Sequence, residues 1–208
     1  MSPSPFRRPA PLFPARAEQI PGEPDPATRG DLAHDSARAL LDGVFHSSDP
    51  EVVERVVQLA AADGLTDLAA LWSGSPAASL PGALWRLYVL HTWVQQSGDD
   101  VVRRYRAGTR TVPGLRYLSG FAEPPEIDQV RRTMDEILRG AFTGDLAIAL
   151  MRAGAIATLV AHGTAHLADT AGTDPEAATV LTGQAERLLS TGEELTLAGR
   201  HAAADTLD

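Results

Sequence analysis

Five of the 18 basic residues, all of them arginines, fall within one short stretch: Arg103, Arg104, Arg106, Arg110 and Arg116. The guanidinium is planar and permanently charged, and its fork of N–H donors matches a carboxylate or phosphate two hydrogen bonds at a time. Such a grouping marks a candidate anion or partner site once its local causes are subtracted. If residues 99–107 form a short helix closed by Gly108, then Arg103, Arg104 and Arg106 lie in its last turns, where cations complement the carbonyl end of the helix dipole. Asp100 stands four residues before Arg104, at ion-pair spacing. What remains is Arg103, Arg106 and Arg110 on roughly one side, with Arg116 brought back by the Pro113-Gly114 turn and Tyr105 and Tyr117 as aromatic neighbours. A solvated, self-neutralising face is the plainest account of these charges. Docking of an acidic partner or an acidic patch of the chain itself comes next, and phosphate comes last. Nucleic acid is disfavoured because the sequence is net acidic on both sides of the cluster, whereas a phosphate backbone rewards many distributed cations.

A second constellation is His162-Gly-Thr-Ala-His166-Leu-Ala-Asp169. Spacings of four and seven residues put two imidazoles and a carboxylate on one helical face, and two histidines one turn apart can clasp a divalent metal ion. The glutamate of a zinc-protease His-Glu-x-x-His motif is missing, Gly163 standing in its place, so a further ligand must come from another helix or from His91, Glu186 or Glu193. The competing account is a polar helix end meeting water or a neighbouring carboxylate. A third group, Trp85, Tyr88 and His91, has the residue types of a small-ligand pocket between helices. An ordinary core with satisfied ring nitrogens explains the same pattern and is preferred.

Other chemistry is excluded by composition. Without cysteine there are no disulfides, thiolate metal sites or thiol nucleophiles. Without lysine there is no phosphate-binding Gly-x-x-x-x-Gly-Lys loop, and Gly74-Ser75 makes no nucleophile elbow. Lysine and asparagine are absent together, and their codons share the same AA start, so the exclusive use of arginine reflects a G+C-rich, bacterial-type genome. Only the clustering still needs a physical cause. The net charge of −9 and 22% charged residues suit a soluble protein. The most apolar run, Leu146 to Leu167, contains Arg152, His162 and His166 and reads as a buried helix with no membrane role. Near the N-terminus the hydrophobic residues are isolated by prolines, which is unlike an export signal, and the expected location is cytoplasmic.

The elements that must position these residues are helices. Residues 1–26 hold eight of the 15 prolines and read as an extended or irregular arm, which Phe6, Leu12, Phe13 and Ile20 equip to pin onto the domain or a second subunit. From residue 27 onward the alanine and leucine spacing predicts one all-α domain of about seven to nine helices, orthogonal or bundle-like. Predicted helices cover Asp31–Phe45 with Leu32, Ala33, Ala37, Leu40, Leu41 and Val44 inward, a segment started by Ser48-Asp49-Pro50-Glu51, Thr66–Trp72, Leu80–Gln96, Asp99–Ala107, Ile127–Arg139 and Asp145–Ala168. The start signal recurs at Thr173-Asp174-Pro175-Glu176. A capping box at Thr191 and Glu194 predicts that the C-terminal segment is two helices broken near Gly192. No 30–45-residue unit recurs, which argues against a solenoid.

These features point to a non-enzymatic protein–protein interaction or regulatory protein, self-associating, with Arg103, Arg106, Arg110 and Arg116 in a contact. The competing class is a helical-bundle metal- or small-ligand-binding protein or enzyme built on His162, His166 and Asp169.

Overall fold

Asp25 opens the first helix. Its carboxylate accepts from the Ala27 N–H at 3.1 Å, and Pro26 takes the first helical position, where a missing N–H carries no penalty. The computed structural model describes residues 25–45, 50–61, 65–112, 114, 126–172 and 174–208. Within them lie eight helices and no strand: α1 Pro26–Phe45, α2 Pro50–Ala61, α3 Thr66–Trp72, α4 Leu80–Gln96, α5 Gly98–Thr111, α6 Ile127–Phe142, α7 Leu146–Asp169 and α8 Pro175–Ala203. The all-α reading holds. Helix α1 begins five residues earlier than the predicted Asp31, inside the expected arm, because Asp25-Pro26 is the same Asp-Pro start signal that opens α8. The remainder of the arm, residues 1–24, lies outside the described residues, as do Ser48 and Asp49.

Helix α7 is the spine. Of its 24 residues 13 are buried, so a helix long and apolar enough to cross a membrane is here enclosed by other helices. Helix α8 runs antiparallel along it at very short range. A Cβ added to Gly154 of α7 would meet Thr196 Oγ1 at 2.5 Å, and one added to Gly192 of α8 would meet Thr158 Oγ1 at 2.4 Å. Only glycine permits that approach. The predicted break near Gly192 is therefore wrong: α8 is continuous over 29 residues, and Gly192 is buried at the contact. Thr191 caps nothing, its hydroxyl donating back to the Arg187 carbonyl at 2.9 Å, and Glu194 reaches across to Arg86 Nε of α4 at 2.5 Å.

Helix α5 crosses the other side of α7 just as closely. A Cβ on Gly163 would sit 1.7 Å from the Arg104 carbonyl oxygen, and one on Gly108 would sit 1.9 Å from that of Leu159. Gly108 is thus a packing point inside α5, and the helix runs on to Thr111, where the Val112 N–H and the Thr111 hydroxyl both close on the Gly108 carbonyl. The extra turn carries Arg110 with it.

Helices α4 and α6 complete the main core through Leu87, Val94, Met134 and Ile137, and α2 joins it through Val56 and Val57. Glu54 of α2 accepts from Arg139 Nη2 of α6 at 2.7 Å, and this guanidinium holds the Glu54 carboxyl below its ordinary range. Helices α1 and α3 pack with the start of α4 in a smaller cluster of Ala33, Ala37, Trp72, Leu80 and Leu84, with the Trp72 indole donating to Ser36 at 3.0 Å. Leu32, expected inward, is 56% exposed because it precedes the stripe that Ala33, Ala37 and Val44 define. At the C-terminus the Asp208 carbonyl accepts from the Leu80 N–H, fixing the end of the described chain to the start of α4.

Candidate functional site

The two faces of α5 follow from its sequence. Val101, Arg104, Tyr105 and Gly108, at helical spacing, are buried against the bundle, whereas Arg103, Arg106 and Arg110 point outward. The outward face forms one wall of a groove of about 550 Å³ whose other walls are the start of α6 and the end of α7. Val102, Ala107, Ile127 and Leu167 give it an apolar floor. Arg103, Arg106, Arg110 and His166 supply its polar rim, and Asp99 and Glu126 mark one end. Arg103 is 63% exposed and ion-paired with Asp100. Arg110 makes no ion pair or hydrogen bond among the described residues, whereas Arg106 is engaged. Arg116, with Tyr117, lies outside the described residues.

The groove also absorbs part of the histidine constellation. His166 lines it, His162 is half-buried further back on α7, and Asp169 is exposed at the helix end. Among the described residues no three His, Asp or Glu side chains gather as a metal-binding group. The reason lies in the rise of the helix. Positions seven apart share a face but stand about 10.5 Å apart along the axis, too far for one ion unless another helix closes the gap. No such group gathers His162, His166 and Asp169 among the described residues, and His166 lines the same groove as the arginines.

The aromatic group resolves differently. Tyr88 is buried, its ring centroid 6.4 Å from that of Trp85, and His91 is completely enclosed. His91 Nε2 lies 2.8 Å from Asp135 Oδ1 of α6, and the Gln95 amide donates to the same oxygen at 2.7 Å. His91 Nδ1 has no partner. A proton on Nε2 fits this setting, because Nδ1 then presents only a lone pair rather than a stranded N–H. His91 thus pins α4 to α6 and opens onto no solvent.

A second cavity, of about 290 Å³, lies on the opposite side of α5 and is lined by Trp93, Arg104, Gln184, Arg187, Leu188 and Thr191. Arg104 is its fixed feature. The side chain is 9% exposed; Nε lies 2.6 Å from Asp100 Oδ2, off the direction of the N–H bond, and Nη1 donates to Gln184 Oε1 at 2.9 Å and Thr164 Oγ1 at 3.2 Å. Its guanidinium carbon stands 5.8 Å from the Trp93 ring centroid, within cation–π range. The Asp100–Arg104 pair anticipated from spacing exists, but treating it as local neutralisation hid this site. The signal was present: Arg104 interrupts the apolar stripe of Val101, Tyr105 and Gly108, and a charge on a core face needs partners from other helices.

No protein-family model, curated protein or solved structure matches this chain.

Proposed function

We propose that this is a cytoplasmic, non-enzymatic interaction module that docks an acidic, amphipathic protein segment in the groove between α5, α6 and α7. The observation that carries the reading is the convergence of Arg103, Arg106, Arg110 and His166 around a floor of Val102, Ala107, Ile127 and Leu167. Carboxylates of the segment meet the arginines, where bidentate pairing adds orientation to charge, while its apolar side chains cover the floor. Asp99 and Glu126 at one end repel acid there and so favour a single direction of the bound segment. A second copy of the chain is one source of such a segment: Glu176, Glu186 and Glu193 are exposed along α8. Nucleic acid is the poorer occupant, since cations are confined to one island on an acidic chain.

The test is the variant Arg103→Gln, Arg106→Gln, Arg110→Gln, compared with the unaltered chain by sedimentation and by binding of an acidic amphipathic helical peptide across a salt series. The expected result is salt-sensitive association that the variant loses at unchanged helicity. Association that is insensitive both to salt and to the three substitutions, or equal binding of a basic peptide, overturns the reading.

A further inference from the structure

The cavity on the inner side of α5 is built differently from the groove, and its parts specify a different ligand. Its cation is held in advance: Asp100, Thr164 and Gln184 fix the Arg104 guanidinium over Trp93, so little side-chain freedom is lost when an anion arrives. Facing it, Gln184, Arg187, Leu188 and Thr191 lie on one side of α8 at intervals of three and four residues. Arg187 is exposed and lines the cavity, and its guanidinium has no ion-pair or hydrogen-bond partner among the described residues. The Thr191 hydroxyl donates its proton to the Arg187 carbonyl and keeps its oxygen free to accept. Trp93 of α4 and Leu188 of α8 supply apolar lining.

From these parts we infer that the Trp93–Arg104–Arg187 cavity binds a small organic carboxylate whose flat apolar body lies against Trp93 and Leu188 and whose carboxylate is forked by Arg187. Three considerations set the class. First, Arg104 is already engaged by Asp100, a carboxylate it shares with Arg103, so Arg187 is the lining guanidinium left to fork an incoming anion, and one fork suits one carboxylate. Second, a planar carboxylate accepts both N–H bonds of the Arg187 fork in the plane of the guanidinium. Third, a volume of about 290 Å³ lies near the lower end for small-ligand pockets and has room for one ring and its carboxylate. This inference is independent of peptide docking in the groove, because the two sites share α5 but no lining residue.

Benzoate is a suitable probe, with neutral benzamide and inorganic phosphate as comparisons. In ¹H–¹⁵N spectra of the full chain, the indole N–H signal that disappears in Trp93→Phe reports on the cavity. Benzoate is expected to shift this signal saturably with a Kd on the order of 1 mM, the range for a ligand of this size. Arg187→Gln, on an exposed helix position that leaves folding intact, is expected to weaken binding about tenfold or more through loss of a charge-assisted pair. Benzamide is expected to bind weaker by a similar factor, and Arg110→Gln, which lines only the outer groove, to leave the titration unchanged. The inference is overturned by the absence of a saturable shift, by equal binding of benzoate to Arg187→Gln, by benzamide matching benzoate, or by phosphate saturating the signal at lower concentration.

Discussion

Arg103 and Arg104 are consecutive, and both meet Asp100, yet one side chain is 63% exposed and the other 9%. The step of about 100° per residue along α5 separates them. Arg103 turns to water, where an ion pair contributes about 0–1 kcal/mol and long side chains remain free to reorient. Arg104 turns into the bundle, where a guanidinium persists only if several groups replace its water; Asp100, Thr164, Gln184 and the Trp93 ring do so, drawn from helices α4, α5, α7 and α8. A charge fixed by four helices is a structural tie and a preorganised anion receptor. A row of charges on one outer face is what we propose as a docking rim. Residue type is the same in both, and environment assigns the work.

The strongest way to break this contrast is to separate α5 from α7. Gly163→Ala places a Cβ 1.7 Å from the Arg104 carbonyl and 2.8 Å from the Gly108 nitrogen. It is expected to destabilise the protein by about 3 kcal/mol or more in urea unfolding and to loosen Arg104 with it. Gly183→Ala on α8 is the control: its nearest neighbour is Arg187 Nη1 at 3.6 Å, so the gain in helix propensity is expected to stabilise by up to about 1 kcal/mol. Equal effects of the two substitutions would remove the glycine contact as the device that seats Arg104.

Next in size is the direct comparison. Arg104→Ala loses the stem packing and leaves Thr164 and Gln184 without their donor, and is expected to destabilise by about 2–4 kcal/mol. Arg103→Ala is expected to change stability by less than about 1 kcal/mol. Similar losses from both, measured by the same denaturant titration, would show that the two environments do not differ in energy.

The smallest effect concerns another exposed pair. Hydrogen bonding and charge from Arg139 hold the Glu54 carboxyl below its ordinary pKa. Because the folded value is the lower one, the stabilisation is complete above the unfolded carboxylate range and is lost as pH falls through the depressed folded value. Glu54→Gln is expected to lower stability slightly at neutral pH and to leave the value near about pH 3 unchanged, which flattens the acid profile. An acid profile that is the same in Glu54→Gln would dismiss the pair as a contributor.

Much of the helical frame was legible in the sequence because helix formation is governed by local signals. Asp174-Pro175 starts α8 as expected, with the Asp174 carboxylate accepting from the Ala177 N–H at 3.0 Å. Asp25-Pro26 carries the same signal, obscured by the prolines before it. Glycine misled where its cause was tertiary: Gly108 and Gly192 resemble helix ends in one dimension and are contact points in three. The outer arginine face was legible from spacing, but that it shares a groove with His166 needed the crossing of α5 over α7. The Arg104 cavity was hidden because the Asp100 pair gave a sufficient local explanation for a residue whose other partners lie 60 and 80 positions away.

By itself, the sequence determined that the chain forms helices, where most of them begin, which faces are apolar, and that cysteine and lysine chemistry are absent. These follow from backbone capping, side-chain periodicity and composition, all of which act within a few residues. Only the tertiary structure decided which glycines join helices, which arginine is buried, and that Trp93, Arg104 and Arg187 surround one cavity while Arg103, Arg106, Arg110 and His166 surround another. Those outcomes depend on distances between helices remote in the chain, which close packing sets and local sequence does not.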